Sequence, residues 1–256
     1  MQISKGGVFF FDSGIGGLTV LAECRKRLPY LPFYYYGDNK NAPYGNKSEA
    51  EIIRLTKNAF RFAKTLNPVC AVVACNTVTA LCVDELRKYC SFPVVGVEPA
   101  LIPALKLYNN VCVLSTYATY RSQRFQRLCD RARKRFPNAN LTARPCPNLA
   151  GEIEKHILNS NHDYTPFLPP YKADAIVLGC THYTFIKSQI QRFYSVPVFD
   201  GNYGVANRLL HLILAQGRDE QPLATPKNLA PIFFLGDENG RNKQIYEQMF
   251  AKTNGF

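Results

Sequence analysis

Ala71-Val72-Val73-Ala74-Cys75-Asn76-Thr77 and Ala175-Ile176-Val177-Leu178-Gly179-Cys180-Thr181-His182 decide the reading of this chain. Each is an apolar run of strand length that ends in a thiol followed by a hydroxyl. The two cysteines stand 105 positions apart, too far for a local motif but right for one element repeated in two similar domains. A second pair keeps nearly the same offset: Ser13 follows the first apolar run, and Thr116 follows the run at 111–115, 103 positions later. Two matched offsets suggest a duplication. Domains that face each other would point two thiols at one site from opposite sides. That arrangement suits a reaction that removes a proton from one face of a carbon and returns one to the other.

Working outward, apolar runs alternate with amphipathic stretches along the whole chain. Strands are expected at 7–11, 32–36, 69–74, 93–97, 111–115, 141–145, 174–179, 196–199 and 231–235. Helices are expected near 16–27, 48–65, 77–90, 99–107, 120–135, 149–159, 183–194, 204–216 and 241–252, with 161–172 as the long loop. Ser48 followed by Glu51 makes a capping box for the second helix, which stops before Asn67-Pro68. This alternation predicts an α/β fold of two similar doubly wound domains, each with a mainly parallel sheet. Such sheets bind ligands at the carboxyl ends of their strands. That rule selects Asp12-Ser13-Gly14-Ile15-Gly16-Gly17, Gly37-Asp38 with Pro43-Tyr44-Gly45, Cys75-Asn76-Thr77, Ser115-Thr116 and Cys180-Thr181-His182.

Composition narrows the classes. The chain has 256 residues, 46% of them hydrophobic and 20% charged, which fits one large or two ordinary globular domains and excludes a disordered chain. No apolar run approaches the roughly 18 residues of a membrane span. Val8-Phe9-Phe10-Phe11 is too short for a signal-peptide core and has no small-residue cleavage site after it, so it is read as the first strand. The nine cysteines include no CxxC pair and no zinc-like spacing. Apart from Cys75 and Cys180 they are read as small buried hydrophobes in a reducing, cytoplasmic compartment.

The net charge is +12, and about half of it falls in residues 121–135, where Arg121, Arg124, Arg127, Arg131, Arg133, Lys134 and Arg135 face only Asp130. A nucleic-acid surface is one reading of this stretch. A solvated helix face on a basic protein is the other, and it is preferred because no nucleic-acid-binding motif accompanies the charge.

Cys75 and Cys180 each lie where a strand gives way to a helix, a place where backbone N–H groups stabilise a thiolate. Acyl transfer would need one cysteine with a histidine and an oxyanion hole. Two cysteines in matching settings fit two-base proton transfer better. His182, two residues after Cys180, is placed to hold a proton for it. Asp12 closes an all-apolar strand, either as a helix N-cap or as a partner for the other thiol or for a substrate ammonium. Gly14-Ile15-Gly16-Gly17 lacks the third glycine and the acidic residue of a dinucleotide fingerprint, so it is read as a turn that brings N–H groups to a small anion such as a carboxylate. Ser13, Asn76, Thr77, Thr116, Thr119 and Thr181 add neutral donors suited to a small zwitterion with two carboxylates.

Phe11-Asp12-Ser13-Gly14-Ile15-Gly16-Gly17, Gly37-Asp38 with Pro43-Tyr44-Gly45, Ala74-Cys75-Asn76-Thr77, Gly96-Val97-Glu98-Pro99, Ser115-Thr116 with Ala118-Thr119, and Gly179-Cys180-Thr181-His182 together resemble the glutamate racemases. These are cofactor-independent enzymes that supply D-glutamate for peptidoglycan. The resemblance spans nearly the whole chain. It implies that Cys75 takes the α-proton from D-glutamate and Cys180 from L-glutamate, that Asp12 assists Cys75, and that His182 assists Cys180. It places Glu154 near a further family carboxylate, with Glu152 competing for that role. It implies substrate contacts from Ser13, Pro43, Tyr44, Gly45, Asn76, Thr77, Thr116, Thr119 and Thr181, with no cofactor and no metal. It also implies a homodimer, a second domain over 98–207, and a first domain made of 1–97 and 208–256, with the site in the cleft between. The alternatives are a racemase of the same superfamily acting on aspartate or another small acid, and a nucleic-acid-binding protein using 121–135.

Overall fold

The computed structural model describes residues 6–217, 229–236 and 241–254. Met1–Lys5 and the parts of the C-terminal segment at 218–228, 237–240 and 255–256 lie outside the described residues.

All nine expected strands form: β1 (Val8–Asp12), β2 (Phe33–Gly37), β3 (Cys70–Val73), β4 (Val94–Gly96), β5 (Asn110–Ser115), β6 (Asn140–Pro145), β7 (Ala175–Gly179), β8 (Val198–Phe199) and β9 (Ile232–Leu235). They make two sheets, ordered β4-β3-β1-β2-β9 and β6-β5-β7-β8. Every pairing is parallel.

Each sheet is apolar on both faces, as parallel sheets with crossover helices must be. Val8 and Phe10 of β1 enter one core, while Phe9 and Phe11 enter the core on the other face. The second sheet repeats this with Cys112 and Leu114 on one side of β5 and Val111 and Val113 on the other. The helices that cover the sheets are α1 (Leu18–Arg27), α2 (Glu49–Thr65), α3 (Asn76–Tyr89), α4 (Leu101–Leu105), α5 (Tyr117–Arg121), α6 (Gln123–Arg135), α7 (Leu149–His156), α8 (Lys187–Tyr194), α9 (Asn202–Leu214) and α10 (Arg241–Asn254). Helix α9 adds Val205, Ala206, Leu209 and Ile213 to the core beneath α1, and β9 pairs with β2, so the chain leaves the first sheet after β4 and returns to it. No helix among the described residues is long and apolar enough to cross a membrane.

Two expected helices take a different form. The helix expected at 120–135 is split at Ser122, whose hydroxyl accepts from Phe125 N at 3.2 Å and starts a new helix. Thr116 caps the short preceding helix in the same way, accepting from Thr119 N at 3.2 Å. The helix expected at 183–194 begins as a 3₁₀ turn over Thr181–Ile186 and becomes α-helical at Lys187.

The winding creates the site. In the first sheet the chain steps from β1 to β2 on one side and returns to place β3 on the other; in the second it steps from β5 to β6 and returns with β7. The crevices at β1/β3 and β5/β7 are therefore the two topological switch points, where open α/β sheets bind ligands. Asp12 and Cys75 stand at the first, Thr116 and Cys180 at the second.

Candidate active site

Cys75 follows β3 as the N-cap of α3, in extended conformation (φ −110°, ψ 121°), so its side chain faces the unpaired N–H groups of the first turn. Cys180 follows β7 in the same way (φ −150°, ψ 132°). Both are buried, each with 6% of its surface exposed. All nine cysteines are free.

The surroundings of the two thiols differ. Ser13 Oγ lies 3.3 Å from Cys75 Sγ. Burial pushes the Cys75 thiol up to about 12, and the charge of Asp12 adds to this. The Ser13 hydroxyl and the Val78 N–H oppose the rise, and charge on Cys180 reinforces it, so the two sulfurs are close enough to feel each other. Cys180 Sγ lies 3.8 Å from His182 Nδ1, and His182 Nε2 lies 2.7 Å from Glu154 Oε1. Burial acts against a charge on His182, but its hydrogen bonds to Cys180 and Glu154 and the Glu154 charge outweigh that and raise its pKa well above the usual imidazole value. His182 is thus buried between a thiol and a carboxylate, in a setting that favours its charged form.

Asp12 is fully buried. Its Oδ1 accepts from Gly14 N at 2.8 Å, and its Oδ2 accepts from Thr181 Oγ1 at 3.4 Å. Burial lifts its pKa to about 6, against the pull of His182 and of the Gly14 and Gly17 N–H groups. It does not cap α1, whose N-cap is Gly17. It reaches Cys75 through its charge, and the hydrogen bond to that thiol comes from Ser13.

The loop after β1 fits against the second half of the molecule because Gly14 and Gly16 lack side chains. A Cβ on Gly14 would lie 1.6 Å from Glu154 Oε1, and one on Gly16 would lie 2.5 Å from His182 Nδ1. The Ile15 N–H donates to the same Glu154 oxygen at 3.1 Å. Glu154, not Glu152, is therefore the carboxylate at this site; Glu152 faces His156 and His162 instead.

A second polar group joins the two halves. Thr77, Thr116 and Thr119 form a triangle of hydroxyls, with Oγ1 separations of 2.9, 3.0 and 3.4 Å. Gly45 packs on Thr116, where an added Cβ would approach to 3.1 Å, and Pro43 lies beside Gly151 of α7. Other expected binding groups are already engaged: the Tyr44 hydroxyl donates to Asp38 Oδ2, and Asn76 Nδ2 donates to Val97 O at 3.4 Å. Tyr35 is an addition, donating to Gly14 O at 2.8 Å and fixing the loop. Its place in an all-apolar strand concealed it, since a buried tyrosine reads as core until its hydroxyl is given a partner. On the basic helix, Arg124 is held by Glu98 at 2.6 Å and Asp84 at 2.8 Å.

Residues 19–208 match a family described as Asp/Glu/Hydantoin racemase. The chain belongs to that racemase family. A glutamate racemase from Clostridium acetobutylicum is 41% identical over 219 residues, covering 82% of this chain and 84% of the relative. The solved glutamate racemase from Escherichia coli, in complex with L-glutamate and an activator, has a TM-score of 0.77 at 28% identity, covering 96% of each chain. The glutamate racemase from Francisella tularensis, in complex with D-glutamate, has a TM-score of 0.76 at 26% identity over 98% of this chain and 94% of that one. This racemase thus shares the α/β architecture of enzymes solved with each enantiomer of one amino acid.

Proposed function

We propose that this chain interconverts L- and D-glutamate without a cofactor, by proton transfer between two cysteines on opposite faces of the α-carbon. The observation that carries the reading is that Cys75 and Cys180 stand buried at the switch points of the two sheets, on strand ends joined where Thr181 Oγ1 donates to Asp12 Oδ2 at 3.4 Å. The substrate class comes from the relatives, which are named glutamate racemases, two of them solved with D- or L-glutamate.

The two directions mirror each other. From D-glutamate, the Cys75 thiolate takes the α-proton; the Cα–H bond breaks and its electron pair stays on the carbon as a carbanion, delocalised into the carboxylate. The Cys180 thiol then delivers its proton to the opposite face and becomes the thiolate. From L-glutamate the roles exchange. One proton is taken and one given, so no external reductant or oxidant is needed.

Such a carbon acid is a poor match for a thiolate, so the site must stabilise the developing charge with fixed donors and exclude water. The N–H groups of the first turn of α3 suit that task, with the hydroxyls of Ser13, Thr77, Thr116, Thr119 and Thr181, while those of Gly14 and Ile15 are taken by Asp12 and Glu154. Burial holds Cys75 at about 12, so it rests as a thiol near neutrality, whereas Asp12 at about 6 is largely ionised there. The α-ammonium of an incoming substrate supplies a positive charge beside both. His182, kept charged by Glu154, passes a proton to and from Cys180.

We assign residues 98–201 to the second domain and 1–97 with the chain from 202 onward to the first, placing the return crossing at the start of α9 rather than at 207/208 because that helix packs under α1. We further assign the product to peptidoglycan synthesis. Turnover of L- and D-glutamate by the purified chain, with both aspartate enantiomers as controls, tests the reading. Activity on aspartate alone would move the assignment to another member of the family.

A further inference from the structure

Beyond the reaction site, α7 and the loop after it carry a group of side chains that the chemistry above leaves unused. We propose that Glu152, His156 and His162 bind one divalent transition-metal ion through a carboxylate oxygen and two imidazole nitrogens. Glu152 and His156 are spaced i, i+4 and so share one face of α7. His162 returns to them from the loop. Glu152 Oε1 lies 3.1 Å from His156 Nε2 and 3.2 Å from His162 Nε2, and all three ligand atoms fall within 4.8 Å of one another. Ligands bound about 2.0–2.1 Å from a tetrahedral zinc-like ion lie roughly 3.3 Å apart, so two edges of that tetrahedron are already set.

The third edge is not yet set: the imidazoles stack with centroids 4.1 Å apart and planes 3° from parallel, and their ligand nitrogens lie within 4.8 Å. Both can address one ion once the rings splay. His162 Nε2 is buried yet makes no hydrogen bond, although Glu152 is within ion-pair distance. A buried ring nitrogen beside a carboxylate that does not accept from it is a ligand waiting for a partner, because an orphaned polar group is costly. The rest of His162 is held in place. Its carbonyl accepts from Gln189 Nε2 at 2.9 Å, its own N–H donates to Asn159 O at 3.2 Å, and its ring packs edge-on to the buried Tyr164 at 4.6 Å. Two imidazoles and one carboxylate select a borderline ion of the zinc, cobalt or nickel kind over magnesium or calcium. Such an ion would staple the loop to the helix that carries Glu154, without touching Glu154 itself.

Cobalt titration of the full, reduced chain, followed by calorimetry and absorbance, tests this. The nine thiols make the spectrum decisive, because a cobalt–thiolate bond adds intense near-ultraviolet absorption that a nitrogen–oxygen site lacks. We expect one ion per chain without that band, unchanged in Cys75→Ser and Cys180→Ser, and weakened about tenfold or more in His156→Asn and in His162→Ala. His156 lies on a half-exposed helix face, so its variant keeps the fold and can be read even where His162→Ala does not. No stoichiometric binding at millimolar cobalt, binding that survives both histidine variants, or binding that disappears with the cysteines would overturn the proposal.

Discussion

His182, just past β7, and Glu154, on α7 28 residues earlier, meet at 2.7 Å, and Glu154 also takes the Ile15 N–H from the first half at 3.1 Å. One carboxylate thus does two things. It favours the charged form of His182 beside Cys180, and it ties the loop after β1 to the second half of the fold.

Removing that charge should therefore disturb chemistry more than folding. Glu154→Gln keeps shape and one acceptor but no longer balances His182. We expect kcat/KM for L-glutamate to fall about 10²-fold, the cost of losing an orienting group, and to fall less for D-glutamate, for which Cys75 is the proposed base. An equal loss for both enantiomers would show that Glu154 serves the whole site.

Gly14→Ala provides a second route to the same interaction. The new Cβ would lie 1.6 Å from Glu154 Oε1, the far end of a flexible side chain that can swing away. The fold should survive with a modest change in melting temperature, while activity drops as in Glu154→Gln. Combining the two substitutions should add little, since coupled sites are not additive. Additive losses would contradict the assignment.

Asp12 gives a pH signature. Its folded-state pKa of about 6 is above its ordinary value of 3.8, so the folded chain binds this proton more tightly than the unfolded chain does. This group therefore favours folding in acid and lowers stability as the pH rises from about 4 to about 6, by up to roughly 3 kcal/mol. Asp12→Asn should be at least as stable as the parent at neutral pH and much less active. The parent should lose kcat/KM as the pH drops through 6. A destabilised Asp12→Asn, measured by chemical denaturation, would show that the carboxylate supports the fold.

The threonine triangle predicts a binding effect. Thr116→Val removes the hydroxyl shared by Thr77 and Thr119 and leaves two buried partners short, at about 1–3 kcal/mol. Because the triangle spans the two sheets, part of that cost should appear as a raised KM. An unchanged KM with a lowered melting temperature would limit the triangle to a structural role.

The central strands β1, β3, β5 and β7 were legible because parallel strands buried on both faces are continuous apolar runs, whereas the edge strand β6 carries Thr142 and Arg144 and is largely unburied. The switch-point thiols followed from that. Glu152 and Glu154 could not be separated, because residues two apart on a helix point to different sides and the sequence does not say which side faces His182. The break at Ser122 was hidden by a run of good helix formers around it. The stacked His156 and His162 were invisible because the contact depends on how the loop after α7 turns back. Tyr35 needed its acceptor, Gly14 O, before it could be distinguished from core.

The most direct test is α-proton exchange in D₂O, followed by NMR, with L- and D-glutamate offered to the parent, Cys75→Ser and Cys180→Ser. Two opposed thiols predict that the parent racemises both enantiomers with solvent deuterium in the product, and that each substitution abolishes racemisation. Racemisation by either single variant at the parent rate, or product that keeps its original α-hydrogen, would contradict the two-thiol account.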